Sequence, residues 1–376
     1  MAMNKQQVIQ HFTEHHGMPA FEQQIVELEH YFLQNKAGLV DGLIASFRQM
    51  CGHLHLLQQN GRKGPIAFIH YSMLRTSVLD QSFTYKMEGY SEKWYGDPSP
   101  FFHAYDTSWL YQDIPIIRQV LDRARKTYMN QIRAGEVERM VLRQLEVLHP
   151  FVVAIARIAM PLAIQLPEYK ALIKAPVLRV RVGEYMDFSE DVYVEHQEPR
   201  DERDIRNRLE QDQGQGHRQG QGQGGIQPYD SLRGLDLKGV KCKAADLRYV
   251  DFSDSELTDS GFQSCALIGS RWQACSAAGA DFRHSLLTDA DFRHADLRGA
   301  LFEHCSGQPF KEGLHRFPGL LGVQFDGANL AGASFVGARL GRSSFEGANL
   351  EQAVFSAIDQ QLFPLSEQQR QVIQWV

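Results

Sequence analysis

In the second half of the chain a large apolar residue returns at every fifth position. The series runs through Leu232, Leu237, Cys242, Leu247, Phe252, Leu257, Phe262, Leu267 and Trp272, drops to a small residue at Ala277, and continues through Phe282, Leu287, Phe292, Leu297 and Phe302. It breaks there and resumes at Phe325, Leu330, Phe335, Leu340, Phe345, Leu350 and Phe355. Two positions before most centres stands a small or β-branched residue, such as Ala245, Val250, Ser255, Ala280 or Ala290. A period of five matches neither the 3.6-residue repeat of a helix nor the two-residue repeat of a strand. It fits a coil of square section in which five residues make one side. The centre and its small neighbour turn inward, and the other three positions, crowded with Asp, Arg, Lys and Gln, face solvent. Four sides close a turn, so residues twenty apart stack. Leu232, Phe252, Trp272 and Phe292 form one ladder, Cys242, Phe262, Phe282 and Phe302 the opposite one, with aliphatic ladders between them. That alternation fills a narrow interior evenly. Trp272 and Ala277 are oversized and undersized neighbours, read as compensating each other's volume rather than as a binding notch.

The segments ADLRY, ADFRH, ADLRG, ANLAG and ANLEQ resemble the A-(D/N)-L-x-x signature of the pentapeptide-repeat family, over residues 229–357. The resemblance implies a right-handed quadrilateral β-helix with four pentapeptides per coil. It also implies, from several members of the family, dimerisation through a C-terminal module. Some members mimic B-form DNA in shape and charge, and protect bacterial type II topoisomerases such as DNA gyrase or topoisomerase IV.

Phe302 to Phe325 is not a multiple of five, so a loop at 303–322 must bulge from the coil. Such a loop is either a tolerated surface insertion or a recognition element, because Lys311, His315, Arg316 and Phe317 would place cations and a ring on a rigid scaffold. At the far end, residues 358–376 carry Ser366 and Gln369 as a capping box and an apolar stripe of Val372, Ile373, Trp375 and Val376. A short amphipathic helix is expected to close the coil there, and to serve a homodimer.

Upstream, residues 198–228 read as a linker, first highly charged and then rich in Gly and Gln, with nothing to bury. Residues 1–197 have helical apolar periodicity over 4–15, 20–34, 38–58, 113–134 and 136–165. PIAFIHYSML and SFTYKMEGY read as a strand pair, and VLRVRVGEYMDFSEDVYVEH as a second hairpin. This half is therefore a mainly helical α+β domain, and it resembles no family.

Within it, Trp94, Tyr95, Asp97, His103 and Asp106 gather aromatic faces, carboxylates and an imidazole, as ligand clefts do. The competing reading is an aromatic mini-core under an irregular loop. His11, Glu14 and His15 spell H-x-x-E-H, a zinc-protease pattern, but the segment lies near the N-terminus and no further acidic ligand stands out, so a solvated helix face is expected. His53 and His55 fall on opposite sides of a helix, and Cys51 beside them reads as a buried small hydrophobe. Cys265 and Cys275 occupy inward positions on opposite faces of the coil. No P-loop, Rossmann fingerprint or G-x-S-x-G elbow occurs, so neither a cofactor nor a metal is expected.

Five cysteines without a C-x-x-C pair argue against a disulfide framework and fit a reducing cytoplasm. The net charge of -6 is not that of a nucleic-acid binder. The apolar run Leu148–Leu166 carries His149, Arg157 and two prolines, against a membrane span, and the N-terminus lacks a secretory signal pattern. From Tyr229 onward there are 18 acidic and 14 basic residues, a net near -4, weak for a phosphate mimic. The expected function is a non-catalytic interaction scaffold with a protein partner. Topoisomerase protection and a ligand-binding or enzymatic N-terminal domain are the alternatives.

Overall fold

The computed structural model describes residues 4–99, 101–197, 201–211, 226–308, 310–312, 315–317 and 319–376, with only the backbone for 310–312 and 315–317. The chain divides into two compact units, Met1–Gln197 and Glu198–Val376.

The first unit opens with α1 (Lys5–Phe12), started by a capping box between Asn4 and Gln7. A π-helical turn, Thr13–Gly17, leads into α2 (Met18–Gln59), a single helix of 42 residues. Sequence periodicity predicts two helices here, 20–34 and 38–58, with a break at 35–37. No proline interrupts it there, Gly38 alone costs only about 1 kcal/mol relative to alanine, and the buried stripe Leu28, Phe32, Val40, Leu43, Phe47 and Leu54 carries the helix across. A five-stranded sheet follows, in the order β3-β2-β1-β4-β5. β1 (Ile66–Met73) and β2 (Thr84–Tyr90) pair antiparallel, β1 and β4 (Lys174–Glu184) pair parallel, and β4 forms a hairpin with β5 (Ser189–His196). Both strand pairs were legible in the alternation.

β3 (Phe101–Asp106), a segment the sequence does not mark as a strand, is an edge strand on β2; its consecutive aromatics hide the two-residue alternation. Helical segments α3 (Arg75–Leu79), α4 (Ser108–Tyr111), α5 (Ile114–Lys126), α6 (Ala134–Ala163) and α7 (Pro167–Lys170) complete the unit. α2 and α6 pack together and cover one face of the sheet, where Leu54, Tyr71, Met87, Val152, Val180 and Val182 are buried. Gly89 in β2 marks the closest approach of α2, since an added Cβ would fall 2.7 Å from Leu54.

The second unit is a coil of parallel rungs. Bridges join Asp251 to Arg271, Glu256 to Ser276, Ala266 to Leu286 and Arg271 to Asp291, each pair twenty residues apart. β6 (Lys241–Lys243) and β7 (Gly261–Gln263) pair the same way. The predicted repeat core, Leu247, Phe252, Leu257, Phe262, Trp272, Phe282, Leu287, Phe292, Leu297, Phe302, Phe325, Leu330, Phe335, Leu340, Phe345, Leu350 and Phe355, is buried throughout. Rings stack along the axis, as Phe252 on Trp272 at 4.3 Å and Phe282 on Phe302 at 4.9 Å. The two aromatic ladders meet edge to face across the interior, as Phe262 on Trp272 at 4.9 Å and 80°. Edge-to-face contact is the geometry that ring quadrupoles favour. Trp272 is fully buried, and its Nε1 donates to Ser270 Oγ at 2.7 Å, which leaves none of it for a notch.

The insertion is narrower than 303–322. Ser306 still bridges Leu286 twenty residues back, and beyond it Asp291 pairs with Gln324 and Ser306 with Arg339, 33 residues apart. The chain therefore adds 13 residues to one coil, and 303–307 remain in the wall. Gly307 stands where a centre would be. An added Cβ would fall 2.7 Å from both the Leu340 carbonyl and Val323 Cγ2, so neighbours already fill the place. Within the insertion β8 (Phe310–Glu312) and β9 (His315–Phe317) pair antiparallel.

Asp289 ties down the returning chain, its Oδ1 accepting from the amides of Leu321 at 3.0 Å and Gly322 at 2.9 Å. Removing it with Asp289→Ala should cost about 1–3 kcal/mol. The loss should show as a lower denaturation midpoint, with hydrogen exchange faster at Leu321 and Gly322 than elsewhere in the coil.

Both ends of the coil are closed. Residues Glu202–Gln211, expected to be linker, form helix α8, and Ile205 and Leu209 join the solenoid core. Two apolar residues four apart are too weak a signal against the six charged residues of the same helix. The Gly- and Gln-rich remainder, 212–225, lies outside the described residues. At the other end Ser366 and Gln369 form the expected capping box for α9 (Glu367–Val372). The apolar stripe is not all helical, however. Ile373 is buried, and β11 (Gln374–Trp375) pairs with β10 (Val354–Phe355) at a spacing of twenty. Trp375 thus continues the ladder above Phe355, 5.8 Å away.

Candidate functional site

The outer positions of the coil carry repeated charge pairs. In each A-D-x-R segment the arginine lies two residues after the aspartate and turns back on it. Arg248 meets Asp246 at 2.6 Å, and Arg283 meets Asp281, Arg293 meets Asp291 and Arg298 meets Asp296 at 2.7 Å. Other pairs bridge successive coils, as Arg271 with Asp251 at 2.9 Å and Lys238 with Glu256 at 2.8 Å. Burial pushes the Asp281 carboxyl up, but Arg283 and Gln263 outweigh it and hold the group below its usual range. Exposed pairs of this kind stabilise by about 0–1 kcal/mol each; their larger effect is to cancel local charge. On one corner the rings of His284 and His304 stack 5.2 Å apart. Cys275 and Cys305 face inward, and burial pushes both thiols up to about 12, which keeps them protonated and unreactive.

In the first unit, the sheet face away from α2 and α6 holds a row of side chains across all five strands: Phe102, Glu88, His70, Arg181 and Asp191. Glu88 is fully buried and accepts from Ser72 Oγ at 2.8 Å, Tyr90 OH at 2.7 Å and Lys86 Nζ at 2.9 Å. Lys86 Nζ also lies 3.7 Å from the Phe102 ring centre and 4.2 Å from that of Tyr185. Trp94 lies over Phe68 at 4.2 Å and His70 at 5.2 Å, with the Arg181 guanidinium 5.1 Å from its ring. His70 is 2% exposed, and burial, with Arg181 beside it, pulls its pKa down to about 3. Among the described residues, His70 Nε2 and Trp94 Nε1 are buried and find no hydrogen-bond partner.

The structure brings some of the sequence-predicted residues together and separates others. Trp94 and Tyr95 cover His70. Asp97 fixes their turn from below, through a buried ion pair with Lys63 at 2.7 Å and bonds from the amides of Ser91 and Ser99. His103 belongs elsewhere, since it alternates with Phe102 on β3 and lies 6.1 Å from His53 of α2. Asp106 ends the strand, accepting from the Ser108 amide. The side chains of Lys311, His315, Arg316 and Phe317 lie outside the described residues. Of the residues expected to dimerise, Ile373 and Trp375 pack on their own coil, while Val372 is 43% exposed. His11 and His15 stack at 3.9 Å, and His11 Nδ1 bonds Tyr128 OH at 2.9 Å. Among the described residues no group of three or more His, Cys, Asp and Glu is arranged to hold a metal ion. His70, Lys86, Glu88 and Arg181 were missed in the sequence because only strand register places them in one row.

Parallel rungs twenty residues apart around a core repeating every five define a β-helix solenoid. The family model for pentapeptide repeats matches in 8 copies, over residues 236–271, 273–303 and 320–357. The C-terminal unit is thus built of pentapeptide repeats, and no family model matches the N-terminal region. The comparison with curated proteins gives no match. Among solved structures, similarity extends to the pentapeptide repeat protein Rfr23 from the cyanobacterium Cyanothece 51142. It is 19% identical over 32% of this chain and 86% of that one, with a TM-score of 0.20. A second is alr5209 from Nostoc Pcc 7120, also 19% identical, over 38% of this chain and 84% of that one, with a TM-score of 0.19. A third is QnrB1, a plasmid-mediated fluoroquinolone resistance protein, 21% identical over 39% and 77%, with a TM-score of 0.15. The fold assignment rests on the repeat match and the ladder, not on these likenesses.

Proposed function

We propose that this chain is a non-catalytic, cytoplasmic interaction protein of two domains. Its right-handed quadrilateral β-helix serves as a rigid scaffold for a protein partner. The observation that carries this reading is the wall of the coil, where side chains of alternating charge recur at fixed spacing on a backbone paired rung to rung. Such a surface keeps its shape on binding, so little conformational entropy is lost. Pairing of Asp with Arg weighs against direct nucleic-acid binding, and equally against a phosphate mimic. DNA gyrase and topoisomerase IV remain the narrower alternative, tested by a supercoiling assay with and without the protein. A homodimer through the C-terminal end is supported by Ile358, Leu362 and Val376, which are 91%, 66% and 67% exposed there.

The scaffold reading is tested with the full chain as bait in an extract of its native host, beside a variant combining Arg283→Glu, Arg293→Glu and Arg298→Glu. The expected result is a partner retained by the parent and lost from the variant, while both stay folded with a cooperative melting transition. Equal retention by both, or none by either, would overturn it.

A second reading, a ligand-binding N-terminal domain, is favoured by the buried nitrogens of His70 and Trp94, which find no partner among the described residues. Buried polar atoms normally find partners, so a ligand supplying one would raise the melting midpoint of the parent but not of His70→Phe.

A further inference from the structure

Met129, in the turn between α5 and α6, is 85% exposed, more than any other large apolar residue of the first unit. The turn that carries it is anchored on both sides. The Tyr128 ring packs edge to face on Phe12 at 5.3 Å, its hydroxyl lies 2.9 Å from His11 Nδ1, and Ile132 is buried. Between these anchors Met129 and Asn130 both lie in the left-handed region, with φ of 49° and 64°. Neither is glycine, so the backbone is strained there, and the strained turn holds an apolar side chain in water.

The exposed apolar surface continues along the helix. Ile116 and Val120, 60% and 51% exposed, lie four residues apart on one face of α5, and Arg123 follows on the same face. Ile114, Ile117 and Leu121 are buried on the opposite face. Helix α5 is therefore apolar on the side that it leaves open as well as on the side that it packs.

Cations surround this strip. From 114 to 133 there are five basic residues and one acidic, a net of +4 in a chain of net -6. Asp122 pairs with Arg125 at 2.6 Å, and Glu138 of α6 with Arg118 at 4.0 Å. Arg123, Lys126 and Arg133 remain, exposed and in no ion pair among the described residues. Helix α6 packs against α5 and adds Arg139 and Arg143, also exposed. The tip of the β4–β5 hairpin has the opposite balance: Met186 is 62% exposed there, among Glu184, Asp187, Glu190 and Asp191.

We propose that α5 and the turn after it dock the protein on a membrane surface of anionic lipid. The strip from Ile116 to Met129 enters the headgroup boundary, and Arg123, Lys126 and Arg133 meet the lipid phosphates. Apolar side chains that stand out from the surface offer a peptide no groove, whereas a bilayer interface takes them in. The cations match the negative leaflet that faces the cytoplasm, each strengthening the contact about fivefold.

The test is flotation of the full chain with vesicles of phosphatidylcholine alone or mixed with phosphatidylglycerol. Binding is expected on the mixed vesicles only, and should fall as salt is raised. Arg123→Glu with Lys126→Glu should weaken it about thirtyfold or more. Met129→Ser should weaken it severalfold, while Met186→Ser, at the acidic tip, binds as the parent does. All four positions are exposed, so each variant should keep a cooperative melting transition. Equal binding to both kinds of vesicle, binding to neither, or an unchanged charge variant would overturn the proposal, as would equal losses from Met129→Ser and Met186→Ser. Retention on immobilised polyglutamate as tight as on the mixed vesicles, with Met129→Ser without effect, would mark the patch as a site for acidic protein and equally overturn membrane docking.

Discussion

Trp272→Ala will destabilise the C-terminal unit by about 3–5 kcal/mol, the largest effect expected from any single truncation in the coil. Trp272 is fully buried and touches both aromatic ladders. It stacks between Phe252 at 4.3 Å and Phe292 at 5.5 Å, and meets the edges of Phe262 at 4.9 Å and Phe282 at 5.1 Å. Close-packed rungs held by backbone bonds above and below cannot collapse into the space left behind, so the cavity persists. Ser270 Oγ also loses the indole donor, though it still donates to the Leu267 carbonyl. Trp272→Phe should lose much less, because phenylalanine occupies the same rung in the neighbouring coils. Denaturant unfolding followed in the C-terminal unit measures both, and equal midpoints for the parent and the alanine variant would refute rigid packing at this position.

The second large effect belongs to the N-terminal unit. Lys63→Ala should cost about 3–5 kcal/mol by leaving a buried carboxylate without its cation. The Lys63 and Asp97 side chains are 1% and 4% exposed, and Lys63 Nζ also donates to the Ser99 carbonyl at 2.6 Å. Burial pushes the Asp97 carboxyl up, but Lys63 and the amides of Ser91 and Ser99 outweigh it and hold its pKa at about 2, below the ordinary 3.8. A depressed carboxyl stabilises the folded state above its unfolded pKa, and that stability is lost as pH falls through the folded value. The gap between parent and Lys63→Ala should therefore be full near pH 7 and narrow between about pH 4 and pH 2. A gap that stays constant down to pH 2 would show that the pair does not act through charge.

The coil was legible in the sequence because its core is written one residue at a time. Phe252, Trp272 and Phe292 announce their stacking by spacing alone, and the 23-residue step from Phe302 to Phe325 announces the insertion. What spacing could not show was where the wall ends and the insertion begins, since Cys305 and Gly307 are small residues that pass equally for loop. Helix α8 was hidden for a different reason: only Ile205 and Leu209 of it join the core, and the charged residues around them read in sequence as solvent-facing. The row of His70, Glu88 and Arg181 was hidden because neighbours across a sheet are distant along the chain. Trp94 and Tyr95 were visible as an aromatic cluster, but what they cover was not. His103 was grouped with them because one-residue alternation on β3, which sends it to the opposite face from Phe102, cannot be seen until the strand is known.

The geometry of the coil is tested most directly by placing nitroxide spin labels at Thr258 and Ala278 of the full chain. The five native cysteines are all buried, so introduced thiols at these partly exposed positions take the label selectively. Rungs twenty residues apart predict strands about 4.8 Å apart, and hence a doubly labelled spectrum strongly broadened relative to the sum of the single ones. A spectrum equal to that sum would contradict the twenty-residue coil.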